Sequence, residues 1–379
     1  MLYFEPMFDS VWNLLSYEVG IDLGTANVLV LVKGKGIVIR EPSVVARHKK
    51  TKQLLAIGAE AKKMLGKAPP TIEVIRPLKD GVIADFDATE VMLKYFINKV
   101  HESGRIIPKI PHPRVVIGIP SGVTEVERRA VQEAAFSAGA RQAFLIEEPM
   151  AAAIGAGLPI AESTGTFIVD IGGGTTEIAV ISLGGIVINR SIRVAGDEMD
   201  EAVTNFLRIK HSLLVGPTTA EDVKLSIGSA AIVTNSVNKN IKRQQEEGSS
   251  SETDETPPVI NPHSVIRGRD LETGLPKSIK VSASEVREAL APIIQQIVTT
   301  IVDTLEETPP ELISDILQKG IVMAGGGSLL PGMDKYVSEA TKMPVWVADD
   351  PLTCVVRGCG RVLDDPKLLS RVRVVGGLK

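Results

Sequence analysis

Apolar runs broken by glycine-rich turns alternate along this chain with segments of helical period. Residues 28–32, 114–119, 143–146, 178–181 and 320–323 read as strands, and 89–101, 150–156, 199–210, 220–227 and 284–305 read as helices. Another helix starts at the Thr-x-x-Glu capping box of Thr124 and Glu127 and stops at Gly139. Within this pattern one unit occurs twice. Ile21-Asp22-Leu23-Gly24-Thr25 opens the first copy and Val169-Asp170-Ile171-Gly172-Gly173-Gly174-Thr175-Thr176 the second. Each continues into an apolar strand and then, through a glycine turn, into Gly-Ile-Val-Ile, at residues 36–39 and 185–188. With Asp22 and Asp170 aligned, the second copy needs one extra residue before that tetrapeptide, as a duplicated unit allows. The pattern predicts an α/β protein of two related halves facing each other across a cleft.

Four stretches depart from it. Residues 1–18 place Phe4, Phe8, Val11, Trp12 and Leu15 on one helical face, opposite Glu5, Asp9, Asn13 and Ser16. Such a helix either inserts into a bilayer interface or packs on the protein's own body. From about 48 to 87 the pattern loosens around Pro69-Pro70 and Pro77, as expected of a small inserted subdomain. The loop 103–111 carries Ile106 and Ile107 between prolines, apolar residues where loops are usually polar, which suggests contact with a membrane or partner. Residues 234–263 change to Asn, Gln, Ser, Glu and Pro, the composition of a disordered insertion.

Bulk properties narrow the function. A chain of 379 residues is long enough for two domains, and its 44% hydrophobic and 23% charged residues are ordinary for a globular protein. A formal charge of −4 lacks the basic footprint of a nucleic-acid binder. Cys354 and Cys359 fit neither a redox nor a zinc pair, which favours a reduced, cytoplasmic setting with two ordinary packed thiols. The five histidines lack metal-ligand spacing. No run reaches the ~20 apolar residues of a membrane span, and no signal peptide is expected.

The two turns carry the candidate chemistry. Glycines let backbone N–H groups approach a phosphate chain closely. Phosphate-bound Mg2+ also calls for carboxylates, usually reached through water, because the ion gives up its hydration shell reluctantly. Asp22 and Asp170 stand at the mouths of the two turns, with the hydroxyls of Thr25, Thr175 and Thr176 as further contacts to phosphate or water. Neither turn is a P-loop or a Rossmann fingerprint. Hydrolysis of a terminal phosphate requires a group that positions water in line. Glu148, after a buried strand, is the candidate; Glu127 competes but has a sufficient reason as a cap, and Glu147 is equally a solvated neighbour.

Together with Glu148-Pro149-Met150-Ala151-Ala152-Ala153-Ile154, Gly196-Asp197-Glu198-Met199-Asp200 and Gly325-Gly326-Gly327-Ser328, the two turns resemble the actin and heat-shock-chaperone ATPase superfamily. The wording of residues 20–27, 33–46, 114–129, 147–158, 267–270 and 273–276 is similar, within it, to the MreB family of bacterial rod-shape actin homologues. The resemblance implies an actin-like ATPase fold of two duplicated domains, each with a smaller inserted subdomain, with ATP and Mg2+ in the cleft. The expected divisions are a membrane-binding helix at 1–18 and a first domain at 19–156 with its subdomain at 48–87. A second domain follows at 157–345, with its subdomain at about 206–281, and then a segment at 346–379 that packs on the first domain.

By the same resemblance, Asp22, Gly24, Thr25, Ala26 and Asn27 belong to the first phosphate loop, and Asp170, Gly172, Gly173, Gly174, Thr175 and Thr176 to the second. Asp22 and Asp170 hold Mg2+ through water. Glu148 is the catalytic glutamate, Asp170 acts with it, and Thr175 helps orient water. Glu221 and Lys224 lie beside the adenosine, Gly325, Gly326 and Gly327 with Ser328 form its floor, and Gly196 completes the nucleotide set. The family further implies ATP hydrolysis coupled to assembly into paired protofilaments that organise cell-wall synthesis and maintain rod shape. It implies attachment to the inner face of the cytoplasmic membrane through Phe4, Phe8, Trp12, Ile106 and Ile107. Wall-synthesis and cell-shape membrane proteins such as RodZ and MreC are the implied partners. A chaperone-type ATPase and a small-molecule kinase of the same superfamily are the alternatives. The chain leaves no room for a peptide-binding domain and shows no separate acceptor-site motif.

Overall fold

The duplication seen in the sequence is a duplication of sheet topology. The computed structural model describes residues 16–102, 112–232 and 263–374. β1 (Glu18–Leu23), β2 (Asn27–Val32) and β3 (Gly36–Pro42) form an antiparallel meander. A small sheet follows, with β4 (Val45–His48) between β5 (Leu54–Ile57) and β6 (Ile72–Ile75), and then the short hairpin of β7 (Leu78–Lys79) and β8 (Val82–Ile83). Helix Phe86–Glu102 leads to β9 (Arg114–Ile119), and helix Glu125–Ser137 to β10 (Gln142–Glu147). Strands β9 and β10 add in parallel beyond β1, giving the order β10-β9-β1-β2-β3.

The second copy repeats this plan. β11 (Thr166–Ile171), β12 (Thr176–Ser182) and β13 (Gly185–Ile192) form the meander. A three-stranded sheet of β14 (Leu213–Leu214), β15 (His263–Asp270) and β16 (Pro276–Ser282) comes between. β17 (Ile321–Ala324) and β18 (Val345–Val347) then add in parallel beyond β11, so the order β18-β17-β11-β12-β13 matches the first sheet strand for strand.

Register shows where the extra residue lies. Leu23 pairs with Val28 and Ile171 with Thr176, so the two acidic-glycine turns have the same length. The difference sits at the far end of the hairpin: β2 pairs as far as Val32 opposite Gly36, whereas β12 pairs as far as Ser182 opposite Gly185. The second hairpin closes on Leu183 and Gly184, both at positive φ, as a tight right-twisted hairpin demands. Both meanders carry an equivalent bulge, at Val30/Leu31 and at Val180/Ile181, so the bulge belongs to the shared plan.

The chain divides into two compact units, one of residues 1–198, 296–329 and 341–379, the other of 199–295 and 330–340. Both five-stranded sheets lie in the first unit, so the compact body does not end at residue 156. Helix Cys354–Asp364 is one reason. It packs on helix Glu148–Ala156 and on β1, burying Val355, Val356, Cys359, Val362 and Leu363. The helix pair meets backbone to backbone, because a Cβ on Gly155 would overlap the Cys354 carbonyl and one on Gly358 the Ala151 carbonyl. Gly20 likewise lies against Gly360 N, 3.1 Å from where its Cβ would stand. Cys354 and Cys359 are both buried, unbridged thiols. The second unit is built on the β14–β16 sheet and helix Pro217–Ile227, with Ala220, Val223, Ile227 and Ile266 buried.

Alanine at Gly155 gains about 1 kcal/mol of helix propensity but forces apart two backbones, an overpacking cost of about 3 kcal/mol. Gly155→Ala is therefore expected to lower the urea midpoint of unfolding clearly. Gly185→Ala, whose methyl meets only Ser182 O at 3.9 Å, leaves it nearly unchanged. Equal midpoints for the two variants would contradict the close crossing.

Candidate nucleotide site

The two acidic-glycine turns meet each other within the first unit. Asp22, next to last in β1, lies between Leu29 of β2 and Gly118 of β9; Asp170, next to last in β11, lies between Glu177 of β12 and Ala324 of β17. Past these aspartates the chain must reverse in four residues. In the second turn Gly172 N–H donates to the Thr175 carbonyl at 2.8 Å. In the first, a Cβ on Gly24 would lie 2.7 Å from Asn27 O. Glycine is also needed for the approach of turn to turn: a Cβ on Gly173 would stand 2.7 Å from Ala26 Cβ, and one on Gly174 2.8 Å from Thr25 Oγ1.

Residues expected at the site fall into three groups. Brought together around the turns are Asp22, Gly24, Thr25, Ala26, Asn27, Glu148, Asp170, Gly172, Gly173, Gly174 and Thr175. Gly325 to Ser328 join them, because Gly325 sits at φ 78 where a Cβ would overlap Asp170 Oδ1, and Ser328 Oγ donates to Gly325 O at 2.7 Å. Gly196 also lies against the second turn: its N–H donates to Gly172 O at 3.2 Å, and that of Asp197 to Gly173 O at 2.7 Å. Thr176 has a structural role instead, being fully buried with its hydroxyl donating to Val194 O at 2.7 Å. Glu127 caps its helix as expected, its carboxylate accepting from Thr124 N at 2.6 Å. Glu221 and Lys224 are three residues apart on helix Pro217–Ile227 of the second unit, where Lys224 pairs with Asp200 at 2.8 Å. Phe4, Phe8, Trp12, Ile106, Ile107 and the insertion at 234–263 lie outside the described residues, apart from His263 at the start of β15.

Two contributors are not evident from the sequence pattern. The tip of the β7–β8 hairpin, Asp80 (φ 51) and Gly81 (φ 76), reaches the first turn, and Gly81 N–H donates to Thr25 Oγ1 at 3.2 Å. The same glycine is wedged between Pro120 and Thr175, each 2.7 Å from where its Cβ would be. Glu177 is the other. It is 1% exposed in the otherwise apolar β12, and its signal was that lone acidic residue in a strand buried throughout.

Asp22, Glu148, Asp170 and Glu177 crowd one place. Burial alone raises the Asp22 carboxyl to about 7. Burial, then the charges of Asp22 and Glu177, raise Asp170 to about 8. Glu177 is pushed up to about 7, chiefly by burial, despite hydrogen bonds from Ser191 and Ser121 that favour its ionised form. Glu148, part of whose side chain reaches solvent, is raised well above its ordinary value by burial of its carboxyl and then by Glu177, Asp22 and Asp170. Its carboxylate makes no hydrogen bond with protein among the described residues, which leaves it available to a water molecule.

Such a cluster calls for positive charge. Among the described residues no three acidic, histidine or cysteine groups converge as direct metal ligands. Mg2+ keeps much of its water and binds through one or two carboxylates together with phosphate oxygens. Asp22 and Asp170, at matched positions of the two turns, are the residues that fit it.

The raised carboxyls make a pH prediction. Each binds its proton more tightly folded than unfolded, where the value is about 4. Stability is therefore fully present below about pH 4 and falls as pH rises toward 7 to 8, where these groups ionise in the folded state. Without nucleotide or divalent cation, Asp170→Asn should raise the melting temperature at pH 8 by a few degrees more than at pH 5, measured by differential scanning fluorimetry. The same increment at both pH values would sink the electrostatic account.

The site's relatives are known. The family model described as MreB/Mbl protein matches residues 16–371. The chain is 48% identical over 356 residues to the cell shape-determining protein MreB of Escherichia coli (strain K12), covering 93% of this chain and 94% of that one. It is 45% identical over 358 residues to the cell shape-determining protein Mbl of Bacillus subtilis (strain 168), covering 94% and 99%. The crystal structure of MreB5 of Spiroplasma citri bound to ADP superposes with a TM-score of 0.81 at 37% identity, over 94% of this chain and 98% of that one. With its duplicated sheets joined through paired acidic-glycine turns, and with homology spanning nearly its whole length, the chain has the actin-like ATPase fold and belongs to the MreB/Mbl family.

Proposed function

We propose that the protein binds and hydrolyses ATP with Mg2+ and polymerises into membrane-associated filaments that organise cell-wall synthesis and maintain rod shape. The observation that carries the reading is the meeting of the two glycine turns under a cluster of four crowded carboxyls. A polyphosphate with its metal supplies what that arrangement needs, since the metal neutralises charge on the phosphates and on the departing oxygen. The backbone N–H groups of the turns take the phosphate oxygens. Glu148, its carboxylate uncommitted, orients the attacking water and accepts its proton, with Thr175 beside it. Gly325 to Ser328 floor the nucleoside. ADP in the MreB5 relative and the cell-shape role of the curated relatives support this reading.

Membrane attachment at the inner face of the cytoplasmic membrane has its own support. Among the described residues no helix is long and apolar enough to cross a membrane. The residues just before β1 and the end of helix Phe86–Glu102 lie side by side: Ser16 Oγ and Tyr17 N are each 3.2 Å from His101 Nε2. His101 Nδ1, 2.6 Å from Ile97 O, fixes that imidazole on its own helix. In the sequence, the stretch with Phe4, Phe8 and Trp12 precedes Ser16 and the stretch with Ile106 and Ile107 follows His101, and the closeness of Ser16 and His101 supports a shared anchor. RodZ-like and MreC-like membrane proteins are the partners this reading expects.

Purified protein with Mg-ATP, Mg-ADP or no nucleotide, with and without anionic liposomes, should show a nucleotide-dependent critical concentration on sedimentation. A protein that hydrolyses ATP yet stays monomeric in every condition would move the assignment to the chaperone or kinase alternatives. Glu148→Ala should slow phosphate release by about 100-fold or more while keeping ATP affinity; unchanged release removes Glu148 from the mechanism. Deleting residues 1–17 together with changing Ile106 and Ile107 to Ser should abolish co-flotation with liposomes, and retained flotation refutes the membrane anchor.

A further inference from the structure

Glu177 holds both carboxylate oxygens in hydrogen bonds. Oε2 accepts from Ser121 N–H at 3.1 Å and Oε1 from the Ser191 hydroxyl at 2.6 Å. Ser191 is its register partner on β13, so the anchor is built into the β12–β13 pair. Ser121 also makes a second link, its hydroxyl donating to Glu147 Oε2 at 2.7 Å. Glu147 immediately precedes Glu148. One serine thus ties the strand end that carries Glu148 to the carboxylate of the opposite sheet. Gly122, next in the chain, lies against Ser191, its Cβ position 3.0 Å from Ser191 Cβ, and keeps the loop close.

Glu148 is held differently. It is the first residue of its helix, followed by Pro149, and its Cγ lies 3.6 Å from where a Cβ on Gly118 would be. No hydrogen bond from the described protein fixes its carboxylate, and Glu177 is the neighbouring charge that acts on it most strongly.

We propose that Glu177 is a positioning residue for hydrolysis, an anchored negative charge that keeps the Glu148 carboxylate turned toward the attacking water rather than back into the protein. The inference rests on the reading of Glu148 as the water-activating group. In this role Glu177 touches neither nucleotide nor water and transfers no proton. Above about pH 7, where the Glu177 carboxyl ionises, its charge sits on oxygens whose hydrogen bonds are already satisfied, and it disfavours inward orientations of the Glu148 carboxylate; the rates are therefore compared at pH 8. A purely structural Glu177, serving only to fasten the 120–122 loop to β12, would make a different prediction, because glutamine can do that. The amide oxygen accepts from Ser121 N–H, and the amide N–H donates to the Ser191 hydroxyl once that hydroxyl turns.

The test compares steady-state ATP hydrolysis of wild type, Glu177→Gln, Glu177→Asp, Ser191→Ala and Glu148→Gln, with melting temperature and ATP affinity measured on each. Glu177→Gln is expected to lose 10-fold or more in kcat with KM for ATP changed less than twofold. Glu177→Asp, which keeps the charge, regains part of the rate, and Ser191→Ala, which loosens one oxygen, loses a few-fold in kcat. Wild-type kcat in Glu177→Gln, or a loss that follows its ATP affinity and melting temperature, overturns the proposal. If Glu177→Gln fails to fold, Ser191→Ala decides: wild-type kcat there overturns it and a few-fold loss at constant KM supports it. Unimpaired hydrolysis by Glu148→Gln removes the underlying reading and this inference with it. A slow Glu148→Gln beside a fast Glu177→Gln removes this inference alone.

Discussion

Backbone approaching backbone with no side chain between is the constraint on which the rest of this structure depends. It occurs where Gly173 meets Ala26 N and Gly174 meets Asp80 N, where Gly325 meets the Ile171 carbonyl, and where Gly155 and Gly358 let two helices touch. Each contact brings peptide dipoles into a space that a methyl group would fill. The first two bring the turns into direct contact, and the third fixes the helix that begins at Glu148. Site and scaffold therefore have one steric origin, and the glycines cannot be ranked as binding or structural by their place in the sequence alone.

Electrostatics works against that geometry. Packing sets Asp22, Glu148, Asp170 and Glu177 close together in a desolvated place, which raises all four carboxyls. Elsewhere in the first unit acidic groups are balanced, as at Glu18 with Lys33 and Arg114, or Asp85 with Arg47. The imbalance is thus local to the turns. A folded protein carries such a cost where function compensates it, and a metal–polyphosphate ligand is the kind of partner that would.

Much of this was legible in the sequence because it is local. Strand β9 follows from six apolar-rich residues, the Thr124–Glu127 capping box from spacing, and the two turns from their repetition. What was not legible depends on pairing across the chain. Glu177 reads as one acidic residue in a strand, and only the register that sets it opposite Asp170 and Ser191 reveals its setting. The Asp80–Gly81 tip reads as an ordinary tight turn; its contact with Thr25 spans 56 residues. Thr176 illustrates the converse, since a hydroxyl that adjoins a phosphate turn in sequence is spent on the Val194 carbonyl in space.

The register of the two meanders has a further meaning. Leu29 stands opposite Asp22 where Glu177 stands opposite Asp170, so one position in each copy carries either oil or acid. A gene duplication yields two equal halves, and equal halves give a cleft with no preferred side. The leucine–glutamate difference breaks that equivalence on a framework whose strand order remains the same. The strand order keeps the symmetry, and the side chains at these matched positions break it.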